Sequence, residues 1–228
     1  MRKIISIVLL GIVALGIILS LARIPFGVSK TKVGGYYIDK GREETGAANI
    51  VTSIVVNYRA FDTLGEITVL FIAAVGLGAV LSTRKKHKRE QDLEPASLVL
   101  YTGCRFLFPL ILLFGAYIFI HGHLTPGGGF QGGAIVASAY LLIYLGCRGR
   151  RIPEAGTKVI ESLAGLVFVV VGLLGLSFGG YFLLNFLPKG TPNVLFSAGI
   201  IPIVYIAIGF KVGSELAGII DNLMEESR

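Results

Sequence analysis

Charged side chains are scarce in this sequence. Only 15% of the 228 residues are Asp, Glu, Lys or Arg, against about a quarter in soluble domains. That shortfall argues against a soluble globular protein. Disorder is excluded too, because it requires low hydrophobicity and high charge, and 54% of this chain is hydrophobic. Cysteine is nearly absent. Cys104 and Cys147 stand far apart, with no CxxC and no framework of spacings, and read as two buried, reduced thiols. Haem-attachment and Fe–S cysteines are missing. So are HExxH and any Cys/His cluster that would seat zinc, and no nucleophile–base–acid set is visible. The chain therefore carries no evident redox chemistry or catalytic set of its own, and no cofactor or metal is expected in it.

What is abundant is apolar sequence. Mean hydropathy is +0.76, and glycine, at 31 residues, is about twice its usual share of roughly 7%. Glycine lets membrane helices approach closely. A membrane helix needs about 20 mostly apolar residues. Six stretches qualify: Ile4–Leu21, Thr63–Ser82, Ser97–Ile120, Ala134–Cys147 (starting inside a glycine run), Val159–Phe178 and Val194–Ala217. The first, behind Arg2 and Lys3, reads as a signal anchor or ordinary first helix. Arg23–Gly46 is expected to be a loop. Thr45–Tyr58 puts Ile50, Val51, Ile54 and Val55 on one helical face and is too short to span, so an interfacial amphipathic helix is expected. The fold class is thus all-α and integral to the membrane. Basic residues cluster at Arg2–Lys3, Arg84–Arg89 and Arg148–Arg151. All three fall on one side if both termini are cytoplasmic, as the positive-inside rule favours. This accounts for the net charge of +7 without nucleic acid. The charge run from Arg84 to Glu94 marks a linker between two units, 1–94 and 95–228.

Charges inside spans are the candidates for function, since each costs roughly 2.5–3.5 kcal/mol at mid-bilayer. Glu66, four residues after Asp62, is either a proton or cation relay site or an interface carboxylate paired with a neighbour. Lys158 with Glu161, and Lys211 with Glu215, have intrahelical ion-pair spacing. Snorkelling is the competing reading for the two lysines, and Glu161 is too short to snorkel far. Arg105 reads as an interfacial anchor or a partner for a carboxylate. His121 and His123 can relay protons, belong to a polar network, or simply pack in a turn. Gly127, Gly129 and Gly132 match GxGxxG, but no strand precedes them and no acid follows until Glu154. The dinucleotide reading fails, and without a terminal GK[ST] so does the P-loop. The run is better read as a helix-breaking turn. Its freed backbone is tolerable only inside protein or beside water, which makes Pro126, Gly127, Gly128, Gly129, Gln131 and Gly132 a candidate lining for an ion path.

Two stretches resemble a known family. Arg105–Gly115 (RFLFPLILLFG) and His121–Gly133 (HGHLTPGGGFQGG) closely resemble the B subunit of Mrp-type multisubunit Na+/H+ antiporters, over roughly residues 95–228. Asn57–Leu70 (NYRAFDTLGEITVL) is similar to the C-terminal end of the large A subunit of those antiporters. That piece also occurs as a small subunit of archaeal membrane-bound hydrogenases and sulfane reductases. Their union in one chain looks like a fusion of two neighbouring subunits. The resemblance implies a non-catalytic subunit of an antiporter module, within an archaeal respiratory complex, helping to form a Na+ or H+ path. The alternative is a scaffold subunit of a stand-alone Mrp-type antiporter. A lone channel or carrier lacks support, since no inverted repeat is visible. Implied partners are A/D-like, C-like and E/F/G-like membrane subunits, the bilayer, and a peripheral redox arm whose Fe–S or Ni–Fe centres lie in other subunits. By motif, the matched positions are Asp62, Glu66, His121, His123 and the Pro126–Gly133 turn. Glu161, Lys211 and Glu215 rest on membrane burial alone.

Overall fold

A computed structural model describes residues 2–23, 32–83, 96–147 and 154–226. The linker Arg84–Glu94 and the basic run Arg148–Arg151 lie outside the described residues. The helices are α1 (Arg2–Ala22), α2 (Lys32–Thr45), α3 (Ile50–Thr52), which runs directly into a π-helical turn (Ser53–Tyr58), α4 (Ala60–Thr83), α5 (Leu98–Ile120), α6 (Gly129–Gly146), α7 (Glu154–Gly179) and α8 (Ile201–Glu226). Six of them are long and apolar enough to cross a membrane: α1, α4, α5, α6, α7 and α8. The chain is an all-α, multi-pass integral membrane protein. It divides into two compact units, residues 1–36 and 37–228.

Three local expectations change. Residues 32–45, read as loop, are helical, because the polar stretch ends in a buried anchor. Thr45 donates to the Gly41 carbonyl at 2.7 Å and shares a 2.7 Å hydrogen bond with Ser53. Residues 45–58, expected as one amphipathic helix, are three α-helical residues that run into a π-turn, a form that advances fewer degrees per residue than an α-helix. Thr52, Ser53 and Val56 are fully buried and Val51 is exposed. The last span begins at Ile201 rather than Val194. Asn193, Ala198 and Gly199 all have positive φ, a conformation that no right-handed helix accepts.

In the larger unit α8 is the hub, contacting α4, α5, α6, α7 and the π-turn. Lipid tails are as apolar as leucine, so close van der Waals packing must supply the association energy. Glycine makes that approach possible. A Cβ on Gly129 would lie 2.5 Å from Ile208 Cβ, and one on Gly133 would lie 2.8 Å from Val212 Cβ and 2.9 Å from the Gly209 carbonyl. Gly115 and Gly132 play the same part between α5 and α6, where each Cβ would press on the other's carbonyl oxygen. The GxGxxG-like string is thus largely a helix-packing seam. Gly133→Ala is expected to lower thermal stability of the assembled protein by about 1–3 kcal/mol, the usual cost of overpacking. Gly76→Ala, which meets open space, should leave it unchanged. Melting curves of the two variants by scanning fluorimetry decide it.

Candidate functional site: a glycine turn and a buried charge cluster

Two polar regions lie within the larger unit. The first is the break between α5 and α6. The chain turns at His121–Gly128, closed by bonds from the Leu124 and Thr125 amides to the His121 carbonyl. Three carbonyls freed there are taken by one upstream segment. The Asn49 amide nitrogen donates to Gly122 at 2.9 Å and to Thr125 at 3.0 Å. The Asn49 backbone N–H donates to His123 at 3.1 Å, and the Thr52 hydroxyl donates to Gly122 at 2.7 Å. The same Asn49 caps α3, its Oδ1 accepting from the amides of Val51 and Thr52. Tyr205 of α8 donates to Thr52 at 2.9 Å, which ties the turn to the hub helix. A second asparagine works alike on the α7–α8 loop. Asn185 donates to the carbonyls of Thr45 and Ala198 and accepts from Ile200 N–H.

Within this turn the two histidines differ. His121 stacks on Tyr117, with its Nδ1 3.1 Å from the Tyr117 carbonyl. His123 is fully buried, and neither ring nitrogen has a hydrogen-bond partner among the described residues. Burial pushes its pKa below the ordinary value; the neighbouring backbone of Val194, Leu195 and Ile120 opposes this, and charge on His121 adds to it. Of the turn positions, Gly128, Gly129 and Gly132 are buried, while Pro126 and Gln131 are exposed.

The second region lies between α7 and α8. Lys211 sits between two carboxylates, its Nζ 3.3 Å from Glu215 Oε2 and 3.7 Å from Glu161 Oε1. Glu215 is 3% exposed, and its Oε1 has no hydrogen-bond donor among the described residues. Lys211 also stands over the Phe71 ring of α4, 5.1 Å from its centroid. The cluster opens into a cleft of about 390 Å³ bordered by Phe71, Tyr144, Lys158, Ser162 and Asp221 among others. The Lys211–Glu215 spacing read from sequence is a real ion pair. Glu161, expected beside Lys158, reaches across to Lys211 of another helix. Two carboxylates thus share one ammonium, with Lys158 and Asp221 on the same cleft.

The remaining candidates lie apart. Asp62 pairs with Arg59 at 2.6 Å on an exposed first turn of α4. Glu66 is on the exposed face of α4, within electrostatic reach of Tyr205. Arg105 donates to its own helix neighbour Tyr101 at 3.1 Å, which fits the anchor reading. No group of three His, Cys, Asp or Glu able to hold a metal occurs among the described residues. Asn49, Thr52, Tyr205 and Asn185 escaped the sequence reading. The one available signal was Asn49 itself, an N-cap residue type just ahead of an apolar stretch.

Residues 99–218 match the model of a domain related to the MnhB subunit of Na+/H+ antiporters. The chain belongs to that family. A second family model, that of the MBH component MbhE, covers residues 2–95. The fold superposes on a chain of the membrane-bound sulfane sulfur reductase, an archaeal respiratory membrane complex, with TM-score 0.80 and 49% identity over 98% of both chains. It also superposes on the Mrp complex from Dietzia sp., with TM-score 0.75 and 27% identity, covering this whole chain and 26% of that one. An uncharacterised protein of Methanocaldococcus jannaschii is 34% identical over 197 residues, 75% of this chain and 74% of its own. This MnhB-type chain is a non-catalytic membrane subunit of the antiporter-module kind.

Two outcomes follow from the turn. Asn49→Ala strands buried carbonyls, each worth roughly 1–3 kcal/mol. It should lower the melting point of the assembled protein far more than Asn222→Ala, at an exposed position of α8. For His123, a folded pKa below the unfolded value of about 6.5 means the unfolded chain binds more protons. Stability is therefore full above that pH and lost as pH falls below it. His123→Gln should flatten this acid limb in melting curves taken between about pH 7 and pH 5.

Proposed function

We propose that this chain lines part of a Na+ or H+ path in a multisubunit cation/proton antiporter module of an archaeal respiratory complex. The observation that carries the reading is the Glu161–Lys211–Glu215 cluster: Lys211 and Glu215 buried, Glu161 half-buried, and both acids bordering a cleft. Carboxylate oxygens are hard ligands suited to a small cation, and intramembrane ionisable groups persist where they face a cavity or path. A lysine between two acids lets an arriving proton or Na+ displace it from one carboxylate while it keeps the other. Glu66 and Asp62 lie on a face that this chain leaves open, so they would meet a neighbouring antiporter-type subunit. His121, His123 and the Pro126–Gly132 turn would form the outer end of the route.

The likeness to the sulfane reductase chain, at nearly full length, favours a complex driven by a redox arm over a stand-alone antiporter. Any Fe–S or Ni–Fe centre would belong to partner subunits. The two family matches, meeting near residue 95, favour units 1–94 and 95–228 as two joined subunits. The positions of Arg84–Arg89 and Arg148–Arg151 favour both termini in the cytoplasm. The charge cluster then faces inward and the glycine turn outward.

The test is radiosodium flux and proton uptake in proteoliposomes of the purified whole complex. Glu215→Gln and Glu161→Gln should each cut coupled flux about tenfold or more, equal to ~1.4 kcal/mol at the barrier, with subunit content unchanged. Glu66→Gln should do the same if its neighbour completes the path. Normal flux in the Glu161→Gln and Glu215→Gln variants would reduce the cluster to a structural ion pair and leave the scaffold role standing.

A further inference from the structure

One pair of reactive groups takes no part in the proposed path. Cys104, in the second turn of α5, and Cys147, which closes α6, hold their sulfurs 3.4 Å apart. Both are free thiols, and they are 1% and 7% exposed. Together with Ile143 and Tyr144 they form the centre of a small cluster, against which Phe108, Leu142, Ile220 and Met224 pack. The pocket for the first sulfur depends on Gly146, where a Cβ would overlap Cys104 Sγ. The neighbouring residues thus hold two sulfurs from different helices against one another.

A disulfide requires an S–S separation of about 2.05 Å, with the two Cβ atoms about 3.5–4.5 Å apart. Sulfurs already at 3.4 Å need approach by only about 1.4 Å to reach that length. The reaction joins α5 to α6 at the end opposite the glycine turn, so the hairpin would be fastened at both ends.

We propose that Cys104 and Cys147 are a redox-responsive dithiol that closes to a disulfide in the presence of a hydroperoxide. A hydroperoxide is uncharged, and hydrogen peroxide is close to water in size, so it can reach the less buried Cys147 at the helix end. The Cys147 thiolate attacks the peroxide, the O–O bond breaks, and a sulfenic acid forms as an alcohol or water leaves. The sulfur of Cys104 then attacks the sulfenic sulfur. The S–S bond forms, the S–O bond breaks, and water departs carrying the Cys104 proton. In sum, two thiols and one hydroperoxide give one disulfide, one alcohol (or water) and one water, a two-electron oxidation that a dithiol reductant reverses.

The experiment uses the intact complex in membranes, treated with hydrogen peroxide or with dithiothreitol. It is then denatured, blocked with a maleimide, digested and analysed by mass spectrometry. Expected after peroxide is a cross-linked peptide pair containing Cys104 and Cys147, two hydrogens lighter than the reduced pair, free of maleimide, and lost on reduction. Cys104→Ser keeps the size of the side chain; it should abolish the cross-link and drive Cys147 on to sulfinic acid. Maleimide on both cysteines after a peroxide dose that oxidises the complex's exposed methionines would overturn the proposal. So would separate sulfinic acids at the two positions with no cross-link in the wild-type protein.

Discussion

The arrangement rests on one constraint: a membrane helix cannot simply stop. After α5 ends at Ile120, the carbonyls of the turn that follows, at Gly122, His123 and Thr125, have no helical partners, and hydrocarbon offers no replacement. The donors come from Asn49 and Thr52, about seventy positions upstream. Their supply requires that the stretch before α4 be pulled inward, which the Thr45–Ser53 hydroxyl pair and the π-turn accomplish. Tyr205 then fastens the same hydroxyl to α8. The MbhE-like stretch thereby completes the hydrogen bonding of the MnhB-like stretch. That is a physical reason for the two to occur side by side.

Near the middle of α8 the physics reverses. There the groups are charged, and their burial is costly unless they are paired. Lys211 satisfies two acids incompletely, at 3.3 and 3.7 Å, longer than the roughly 2.7–2.9 Å of a tight charge-assisted bond. A triad held this loosely beside a cleft is the arrangement on which the proposed ion path rests.

Much of the architecture was legible in the sequence because the membrane imposes a length rule. Runs of about 20 apolar residues located α1, α4, α5, α6 and α7, with ends a few residues out. Ser97 was legible as the start of α5, where it caps Leu100 N–H. Two of the failures come from geometry that departs from the 3.6-residue template: a π-turn replaces the helix expected over 53–58, and left-handed Ala198 and Gly199 delay α8. The third, α2, is too polar to show an apolar period. In the candidate site, Lys211 and Glu215 were legible as a four-residue spacing, and Glu161 as a carboxylate inside a span. Its pairing with Lys211 was not legible, because Glu161 reaches Lys211 only through the packing of α7 on α8. His123 was legible as a candidate, but its complete burial was not, since a histidine in a turn looks the same on paper as its neighbour His121.

α4 and α8 stand at opposite extremes of contact within the larger unit. About 56% of the spanning window of α8 is buried inside the protein, against 6% for α4. Two different selective regimes follow. Drift along α8 is checked by this polypeptide alone, residue against residue. Drift along α4 is checked from outside, by lipid and by whatever protein lies against it, so α4 should coevolve with its neighbour's genes more than with the rest of its own.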